Sequence, residues 1–336
     1  MKAAVLTGQR QIAIRDVPKP EPGPGEVLVK VEYAGICGSD VHAYKSLIFP
    51  VGTILGHEFT GTISAVGTGV SRLRPGQRVV ARPAGICGEC EWCRRGELAL
   101  CVKHLENTPG LKLPGGFAEY VKLYDYQALP LPEAISLQEG AQLEPLAVCC
   151  RAVHAAPGRA GDAVVIFGAG PIGLLVLQLA RLSGARPVTV VEKSSARRRK
   201  AGELGAEHVL EPSADLVKRI REREEHGPKL VFDCVGNEET VNRSLEAVRS
   251  GGQVVMIGAS AKPFPVNQLR WLQRGITVIA SMGYFVDDFG AAIGVLEKRL
   301  VDVASLVSHV IPLGEIEKGI QSLEDPEQAL KVLVRP

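Results

Sequence analysis

The pattern of apolar residues differs between two parts of the chain. From Met1 to about Cys150, short runs rich in Val and Thr each end near Gly or Pro, as in EVLVKVEYAG, FTGTISAVG and GQRVVARP. Runs of this length and composition predict β-strands, and no long helical pattern interrupts them. We therefore expect a compact, mostly antiparallel, barrel-like domain in this part of the chain.

From about Gly161 strand-like and helix-like segments alternate. The strand-like segments are DAVVIF, PVTVVE, HVL, KLVFDCVG, QVVMIG and ITVIASMG, and helical segments such as PIGLLVLQLARLSG separate most of them. This alternation predicts an α/β fold with a doubly wound parallel sheet. After Gly283 the pattern is less regular, and we expect this tail to return to the first domain.

A glycine-rich turn joins the first strand of the alternating part to the next helix. The segment VVIFGAGPIG has the spacing G-x-G-x-x-G at Gly168, Gly170 and Gly173. Gly168 permits a tight turn, Gly170 lets the backbone approach a pyrophosphate, and Gly173 lets the helix pack closely on the sheet. The helix N-terminus then offers N–H groups and a partial positive charge to phosphates.

An acidic residue stands where a dinucleotide site needs one. Glu192 ends the second strand, about twenty residues after the glycines. A carboxylate there accepts hydrogen bonds from the adenosine ribose and repels a 2′-phosphate, which favours NAD over NADP. Lys193 and nearby arginines, Arg197 among them, weaken that preference. Together with Pro171 and Ile172 of the turn, these residues complete the expected cofactor-binding set.

Half of the eight cysteines in the chain lie within CGECEWCRRGELALC, at Cys87, Cys90, Cys93 and Cys101. Four thiolates at this spacing can close a tetrahedral zinc site, which is structural because no ligand position stays open. The metal then orders a loop that has few apolar residues of its own. A four-cysteine iron–sulfur cluster and free surface cysteines are the alternatives.

A second group of candidate ligands lies in AGICGSDVHAYK and LGHEFTG. Cys37 and His57 are good zinc ligands, and Glu58 or Glu144 is the candidate third. Three protein ligands leave one position for water or substrate, as in catalytic zinc sites. Each residue alone has an ordinary structural explanation, so the prediction depends on their occurring together.

Composition and charge limit the partners and the cellular location that we expect for this protein. The chain has 336 residues, 46% apolar and 23% charged, and a net charge of +2, so charge gives no argument for a nucleic acid or membrane partner. The longest apolar stretch, residues 163–180, contains three glycines and a proline, which indicates a strand, a turn and a buried helix. The N-terminus lacks a signal-peptide pattern, and we expect a cytoplasmic protein in which clustered thiols bind metal.

The motifs CGSDVH, GHE, the four-cysteine lobe, GGFAEYV, EPLAV and GAGPIG, in this order, resemble the zinc-dependent medium-chain alcohol dehydrogenase family over essentially the whole chain. The resemblance implies a GroES-like catalytic domain at 1–148 and 286–336, with a structural zinc lobe at about 85–103, and a Rossmann NAD-binding domain at 149–285. It also implies two zinc ions per subunit, a catalytic ion at Cys37, His57 and an acid, and a structural ion at the four cysteines.

The third catalytic ligand stays open at this point. The liver-type branch of the family has a cysteine where this chain has Glu144. The glutamate resembles that of the polyol, butanediol and threonine dehydrogenases, in which the glutamate of GHE or the later one can bind zinc. Glu58 and Glu144 are therefore near-equal candidates.

The resemblance implies reversible oxidation of a secondary alcohol with NAD(H). Ser39 resembles the relay hydroxyl of the family and His42 its relay histidine, while Asp40 is placed to accept a hydrogen bond from the ring of His57. The ordinary alternatives are a turn-forming role for Ser39 and Asp40 and a surface position for His42.

A polyol or vicinal diol is the expected substrate and L-threonine the second. An NAD-binding redox sensor without turnover and a metal-free quinone reductase are the rival classes. We expect a small-molecule alcohol as the only kind of partner besides copies of the chain itself, which form a dimer or tetramer. The strand ITVIASMG could pair with its own copy, as in the dimers of the family.

Overall fold

The computed structural model describes residues 1–156, 158–260 and 262–336. Within these residues the chain forms two compact units. One contains Met1–Ala147 together with Tyr284–Pro336, and the other contains Val148–Gly283. The C-terminal segment therefore belongs to the same unit as the N-terminal segment.

The first unit opens with a series of strands and short helices. The strands are β1 Lys2–Gly8, β2 Gln11–Asp16, β3 Glu26–Gly35, β4 Glu58–Val66, β5 Arg78–Ala81, β6 Tyr120–Tyr124 and β7 Ala128–Pro130. The helices are α1 Gly38–Ser46, α2 Glu91–Arg94 and α3 Leu137–Gly140, and α4 Leu143–Ala155 starts in this unit and continues into the second.

Strands and helices alternate in the second unit. The strands are β8 Val164–Phe167, β9 Val188–Val191, β10 His208–Leu210, β11 Leu230–Asp233, β12 Gln253–Met256 and β13 Thr277–Ala280. The helices are α5 Pro171–Leu182, α6 Ser195–Glu203, α7 Leu216–Arg223, α8 Glu238–Ala247 and α9 Gln268–Arg274. The chain then returns to the first unit with α10 Val286–Glu297, β14 Val307–Pro312, α11 Ile316–Ser322 and β15 Lys331–Arg335.

The large sheet of the first unit has the strand order β14-β15-β3-β4-β5-β7, with β6 also paired to β3. Neighbours are antiparallel except β14 and β15. Val27, Val29 and Val31 on one face of β3 are buried, and they pack with Phe59 and Ile63 of β4. The two-residue period of a strand places these alternate side chains on the core face, and the mostly antiparallel domain is confirmed.

The sheet of the second unit is parallel and has the order β10-β9-β8-β11-β12-β13. Every residue of β8, β9 and β11 is buried, which explains their uninterrupted apolar character, because helices cover both faces of such a sheet. The strand order reverses between β8 and β11, and ligands of this fold bind at the carboxyl ends of the strands there. The doubly wound fold is confirmed.

The longest apolar stretch of the sequence folds into β8, a turn and α5. The helix is 12 residues long. In the described part of the chain, no helix is both long and apolar enough to cross a membrane.

The expectation of no long helix before residue 150 is wrong at the end of that region. Helix α4 starts at Leu143 and continues for 13 residues. Most of its residues as far as Cys150 are buried, so the sequence lacks the polar stripe that marks a surface helix. Pro145 lies in the first turn, where a helix does not need its missing N–H.

The glycine turn depends on backbone geometry. Gly168 has φ +93°, in the left-handed region that favours glycine. Gly170 is the N-cap of α5 with φ −69° and is followed by Pro171. A Cβ on Gly173 would overlap the carbonyl oxygen of Gly168, so α5 can approach β8 only with glycine there.

We expect Gly173→Ala to destabilise the second unit by about 1–3 kcal/mol, the usual cost of overpacking. Gly202→Ala is the matched control, because a Cβ at that helical position meets nothing within 4 Å and alanine favours helix. Thermal unfolding and hydrogen exchange of β8 and α5 measure the difference. Equal stability of the two variants would show that the close contact at Gly173 is not needed.

Candidate functional site

Three ligand-type side chains converge in the first unit. The ligand atoms of Cys37, His57 and Glu58 all lie within 4.8 Å of one another. The antiparallel pairing of β3 with β4 sets Gly35 opposite Glu58, so Cys37, two residues beyond Gly35, lies beside the start of β4. His57 and Glu58 are 8% and 1% exposed, so the group is buried.

A buried lysine that the sequence did not single out completes this group. Lys331 is the first residue of β15 and is 2% exposed. Its ammonium forms an ion pair with Oε2 of Glu58 and donates to the carbonyl oxygen of Ile36 at 3.1 Å. A Cβ on Gly35 would collide with the Glu58 carboxylate, so the glycine provides the space for the pair. The pairing of β15 with β3 brings Lys331 here from the far end of the chain.

Asp40 supports the group differently from the expectation. Its Oδ2 accepts a hydrogen bond from the backbone N–H of Cys37 at 2.9 Å, which caps helix α1, and its Oδ1 accepts a long one from Gly56 at 3.4 Å. The distance from Oδ1 to Nδ1 of His57 is 3.9 Å, too long for the predicted hydrogen bond. Among the described residues Nδ1 of His57 has no hydrogen-bond partner. The Asp40 carboxylate therefore caps α1 instead of accepting the expected hydrogen bond from the imidazole of His57.

The electrostatics of the group favour a bound cation. Burial opposes protonation of His57, yet the negative charges of Cys37 and Asp40 raise the pKa of its ring well above the usual value. Burial raises the pKa of Asp40 as well. Such shifts arise where several anionic donors share a site of low dielectric, and a divalent metal ion relieves that repulsion. The donor set of thiolate, imidazole and carboxylate suits zinc.

Glu144 lies near this group but outside it. It is the second residue of α4, and it does not belong to the set of ligand atoms within 4.8 Å. Burial raises the pKa of its carboxyl to about 7, while His57 lowers that pKa and Glu58 raises it. Glu58 thus belongs to the close group of ligand atoms and Glu144 does not, a difference that the sequence could not reveal.

Helix α1 carries the two predicted relay residues. The Oγ of Ser39 is buried and has no hydrogen-bond partner within the ranges that the structure describes. His42 is exposed. Residues three apart share one side of a helix, so the buried hydroxyl and the exposed imidazole lie on the same side of α1.

The four-cysteine lobe forms a second ligand group. The sulfur atoms of Cys87, Cys90, Cys93 and Cys101 lie within 4.8 Å of one another, and none of them forms a disulfide. The Cys90–Cys93 and Cys87–Cys93 sulfur distances are 3.5 and 3.8 Å. Tetrahedral zinc with Zn–S bonds of about 2.3 Å places two sulfurs about 3.8 Å apart, so the spacing fits that metal.

Main-chain N–H groups donate hydrogen bonds to sulfur atoms of this lobe, which stabilises thiolates there. The N–H of Cys87 donates to the sulfur of Cys101 at 3.2 Å, and that of Cys90 donates to the sulfur of Cys87 at 3.4 Å. The backbone hydrogen bond from Cys93 lowers the pKa of Cys90 to about 6, whereas burial raises the pKa of Cys93 to about 12. The thiolate is thus favoured at Cys90 and opposed at Cys93, and a cation would be needed to hold four thiolates together.

A hollow of about 390 Å³ lies in the second unit at the carboxyl ends of the parallel strands. The predicted cofactor residues that line it are Gly168, Gly170, Glu192, Lys193 and Arg197. A Cβ on Gly170 would meet nothing closer than Arg197 Nη1 at 3.8 Å, so the turn leaves room for a ligand.

The other three members of the predicted set belong to the frame of the hollow. Pro171 and Ile172 start α5, and the carbonyl oxygen of Ile172 accepts a bond from the sulfur of Cys149 at 3.5 Å. Gly173 lies under the turn. These residues shape the hollow, whereas the five above line it.

Glu192 is 7% exposed, and both of its carboxylate oxygens already have partners. Oε2 accepts a hydrogen bond from the N–H of Ala169 at 2.7 Å, and Oε1 accepts one from the N–H of Ser194 at 2.9 Å. The sequence predicted this acid but not its bonds to the backbone of the turn and of the following loop.

Comparisons with known proteins agree with this geometry. The family profile for the alcohol dehydrogenase GroES-like domain matches residues 23–133, and the profile for zinc-binding dehydrogenase matches residues 171–298. The chain is 32% identical to a sorbitol dehydrogenase of Halalkalibacterium halodurans, with 100% of this chain and 99% of that protein covered. It is 33% identical to (R,R)-butanediol dehydrogenase of Bacillus subtilis, with both chains fully covered at 100%.

Solved structures resemble the whole chain. The 2R,3R-butanediol dehydrogenase of Bacillus subtilis superposes with a TM-score of 0.91 at 32% identity, covering 100% of this chain and 99% of that one. A Sinorhizobium meliloti structure assigned to the zinc-binding dehydrogenases and bound to NADP gives 0.91 at 35% identity with the same coverage. The chain therefore belongs to the zinc-dependent medium-chain alcohol dehydrogenase family.

Proposed function

We propose that this protein is a zinc-dependent dehydrogenase that reversibly oxidises a secondary alcohol with NAD(H), and that polyols or vicinal diols are its substrates. The observation that carries the proposal is the buried group of Cys37, His57 and Glu58 in the first unit. Three protein ligands leave a tetrahedral metal one position for a substrate. The names of the sorbitol and butanediol dehydrogenases among its relatives support the substrate class.

When bound, zinc supplies a Lewis acid for the alcohol oxygen and the dinucleotide supplies the hydride acceptor. The protein itself holds the ligands and moves the proton. The buried Oγ of Ser39 has no partner among the described residues, so it is available to accept the proton of the alcohol while it releases its own hydroxyl proton towards solvent. His42, exposed on the same side of α1, is placed to pass that proton to water.

Glu58 is the third zinc ligand in this proposal. Its carboxylate belongs to the close group with Cys37 and His57, and Lys331 holds it through Oε2, which leaves Oε1 for a metal. Glu144 lies outside the group and retains partial exposure. In this proposal the Glu144 carboxyl is therefore available to the substrate or to water and is not a ligand of the metal.

Assembly and location are further parts of the proposal. Strand β13 has β12 as its one partner within the described sheet, and three of its four residues are exposed. Val278 on this strand is 38% exposed and Met282 just beyond it is 70% exposed. Pairing of β13 with a second copy would satisfy the edge and cover this apolar surface. We also expect a cytoplasmic location, where the clustered thiols stay reduced.

A substrate panel tests the function. We expect 2,3-butanediol, sorbitol and xylitol to be oxidised with NAD, and at least one of them to give a higher kcat/KM than L-threonine. Hydride transfer is followed through the absorbance of NADH. A higher kcat/KM for threonine than for every diol and polyol would replace the proposed substrate class, and no turnover with any alcohol would favour an NAD-binding sensor.

The number of zinc ions bound by two cysteine variants tests which site is catalytic and which is structural. We expect about two zinc ions per chain, and one in either Cys37→Ser or Cys90→Ser. Cys37→Ser should abolish turnover with little change in stability. Cys90→Ser should lower the unfolding midpoint by about 5 °C or more, because a lobe with few apolar contacts loses its clip. Intact stability with lost hydride transfer in Cys90→Ser would reverse the assignment of the sites.

The third ligand is tested with Glu58→Gln, Glu144→Gln and the double variant Glu58→Gln/Lys331→Met. We expect catalytic zinc to be lost in both Glu58 variants and kept in Glu144→Gln, whose turnover falls. Glu58→Gln alone leaves a buried lysine unpaired, which costs about 3–5 kcal/mol. The double variant removes both charges and leaves no unpaired lysine. A loss of zinc from it therefore reports the missing ligand and not a loss of stability. Zinc loss in Glu144→Gln alone would assign the ligand to Glu144.

Ser39→Ala tests the proton route. Because the hydroxyl is buried without a protein partner, we expect the fold to persist and kcat to fall about 100-fold or more, in the range of general acid–base catalysis. Ser46→Ala, at the exposed end of the same helix, is the control. Wild-type turnover with an unchanged pH profile in Ser39→Ala would show that the relay assignment is wrong.

A further inference from the structure

A second hollow in the second unit, which we call the arginine hollow, has no part in the proposed reaction. It has a volume of about 520 Å³. Its lining residues are Arg221, Glu225, His226, Arg249, Ser250 and Arg274. It shares no residue with the hollow that is lined by Gly168 and Glu192, so the two are separate cavities.

The pairing of the parallel sheet brings the lining residues together. Leu230 of β11 pairs with Gln253 of β12, and Gln253 pairs with Thr277 of β13, so the three strands start side by side. The lining residues belong to the ends of α7 and α9 and to the segments that follow α7 and α8, and these segments lead into the three strands. The arginine hollow therefore lies at the amino edge of the sheet, whereas the hollow at Gly168 lies at the carboxyl ends of the strands.

Two of the three arginines are held in place by the end of α8. Nη1 of Arg274 donates to the carbonyl oxygen of Leu245 at 2.7 Å, and Nη2 donates to that of Val248. Nη2 of Arg221 donates to the carbonyl oxygen of Glu246 at 2.6 Å. A cation is favourable beside the last carbonyls of a helix. Because these bonds already order both side chains, an anion that binds them costs less conformational entropy.

Arg249 has no such structural role. Its residue is half-buried, and within the described part of the chain its side chain forms no hydrogen bond and no ion pair. It also lines a neighbouring hollow of about 360 Å³, together with Arg159, Lys229 and Asp162. The position of Arg249 between two polar hollows, without a protein partner, is explained by a ligand that it binds.

The charges that line the arginine hollow do not balance. Arginine stays protonated in proteins, so three arginines against the one carboxylate of Glu225 leave an excess of two positive charges. Burial lowers the pKa of Arg274 and the charge of Arg221 lowers it further, while Glu246 raises it. Glu246 itself forms an ion pair with Arg270. An anion in the hollow would relieve the repulsion between the arginines.

A phosphate monoester matches this charge and these donors. It has three terminal oxygens and carries about −1.5 to −2 charges at neutral pH, which offsets the excess charge of the hollow. Guanidinium groups bind phosphate oxygens through two parallel N–H donors. A carboxylate offers two oxygens and a single negative charge. A concave site of about 520 Å³ suits a small molecule.

We propose that the arginine hollow binds the phosphate group of a small phosphorylated metabolite through Arg221, Arg249 and Arg274. The hollow shares no residue with either group of zinc ligands or with the hollow at Gly168. The site can therefore bind its ligand whether or not the protein is a dehydrogenase.

Calorimetric titration of the zinc-loaded protein with methyl phosphate tests the site. This monoester has no hydroxyl group that a dehydrogenase could oxidise. We expect one molecule to bind per chain with a Kd below about 1 mM at low salt, and the Kd to rise with salt because screening weakens exposed charge pairs. Saturating NADH should leave the Kd unchanged, because the two hollows share no residue.

Arg249→Gln locates the bound phosphate. We expect it to raise the Kd for methyl phosphate about tenfold or more, the effect of losing a hydrogen bond to a charged group. Arg221→Gln should do the same, and thermal unfolding checks that both variants fold. The matched control is Arg223→Gln, which removes the same charge from α7. Arg223 does not line the hollow, and its Nη1 donates to the carbonyl oxygen of Arg219 at 2.8 Å. An equal rise in Arg249→Gln and Arg223→Gln would overturn the site.

Two further anions test the class of ligand. Methyl sulfate and acetate each carry one negative charge, and we expect both to bind about tenfold more weakly than methyl phosphate or worse, because the excess charge of the hollow is then only half offset. Equal binding of either anion would show that the hollow does not select phosphate.

A Kd for methyl phosphate above about 10 mM, too weak for a specific site, would overturn the proposal. Displacement of methyl phosphate by NADH would assign it to the hollow at Gly168 and would also overturn the proposal. Failure of NADH to bind, with methyl phosphate still bound through Arg249, would contradict the proposed dehydrogenase function and leave the phosphate site in place.

Discussion

The buried ion pair between Lys331 and Glu58 is the interaction on which the buried group of Cys37, His57 and Glu58 depends. Both residues are almost fully excluded from water, at 2% and 1% exposure, where an unpaired charge would be very costly. The negative charges of Glu58 and Cys37 outweigh burial and raise the pKa of the lysine, so it stays protonated. The same ammonium bonds to Ile36, next to Cys37. One cation from the last strand thus fixes an acid and the backbone that presents the thiolate.

The two ligand groups of the first unit show two ways to hold a metal. The cysteine lobe takes all four donors from one short segment, where local spacing and main-chain N–H groups suffice to bring the sulfurs together. The group of Cys37, His57 and Glu58 takes its donors from a helix start and a strand start, and the sheet brings them together. The first arrangement closes on itself, and the second keeps a position that suits a substrate.

The nucleotide hollow of the second unit follows from constraints on the backbone. Gly168 adopts a positive φ and Gly173 lies against its carbonyl oxygen, so α5 starts close to the end of β8. Glu192 then bonds to the N–H of Ala169 within this turn. The acid expected to bind the ribose is therefore also part of the frame that shapes the hollow, and its neighbour Lys193 is exposed at the rim.

The sequence by itself determined the fold class, the family, the cysteine lobe and the glycine turn, because each depends on local periodicity or on spacing within one segment. It missed α4, whose buried residues hide the helical period. The tertiary structure alone placed Lys331 on Glu58, gave Asp40 to the cap of α1, and bound Glu192 to the backbone. Those contacts join residues through strand pairing or hydrogen-bond geometry, which no pattern along the chain encodes.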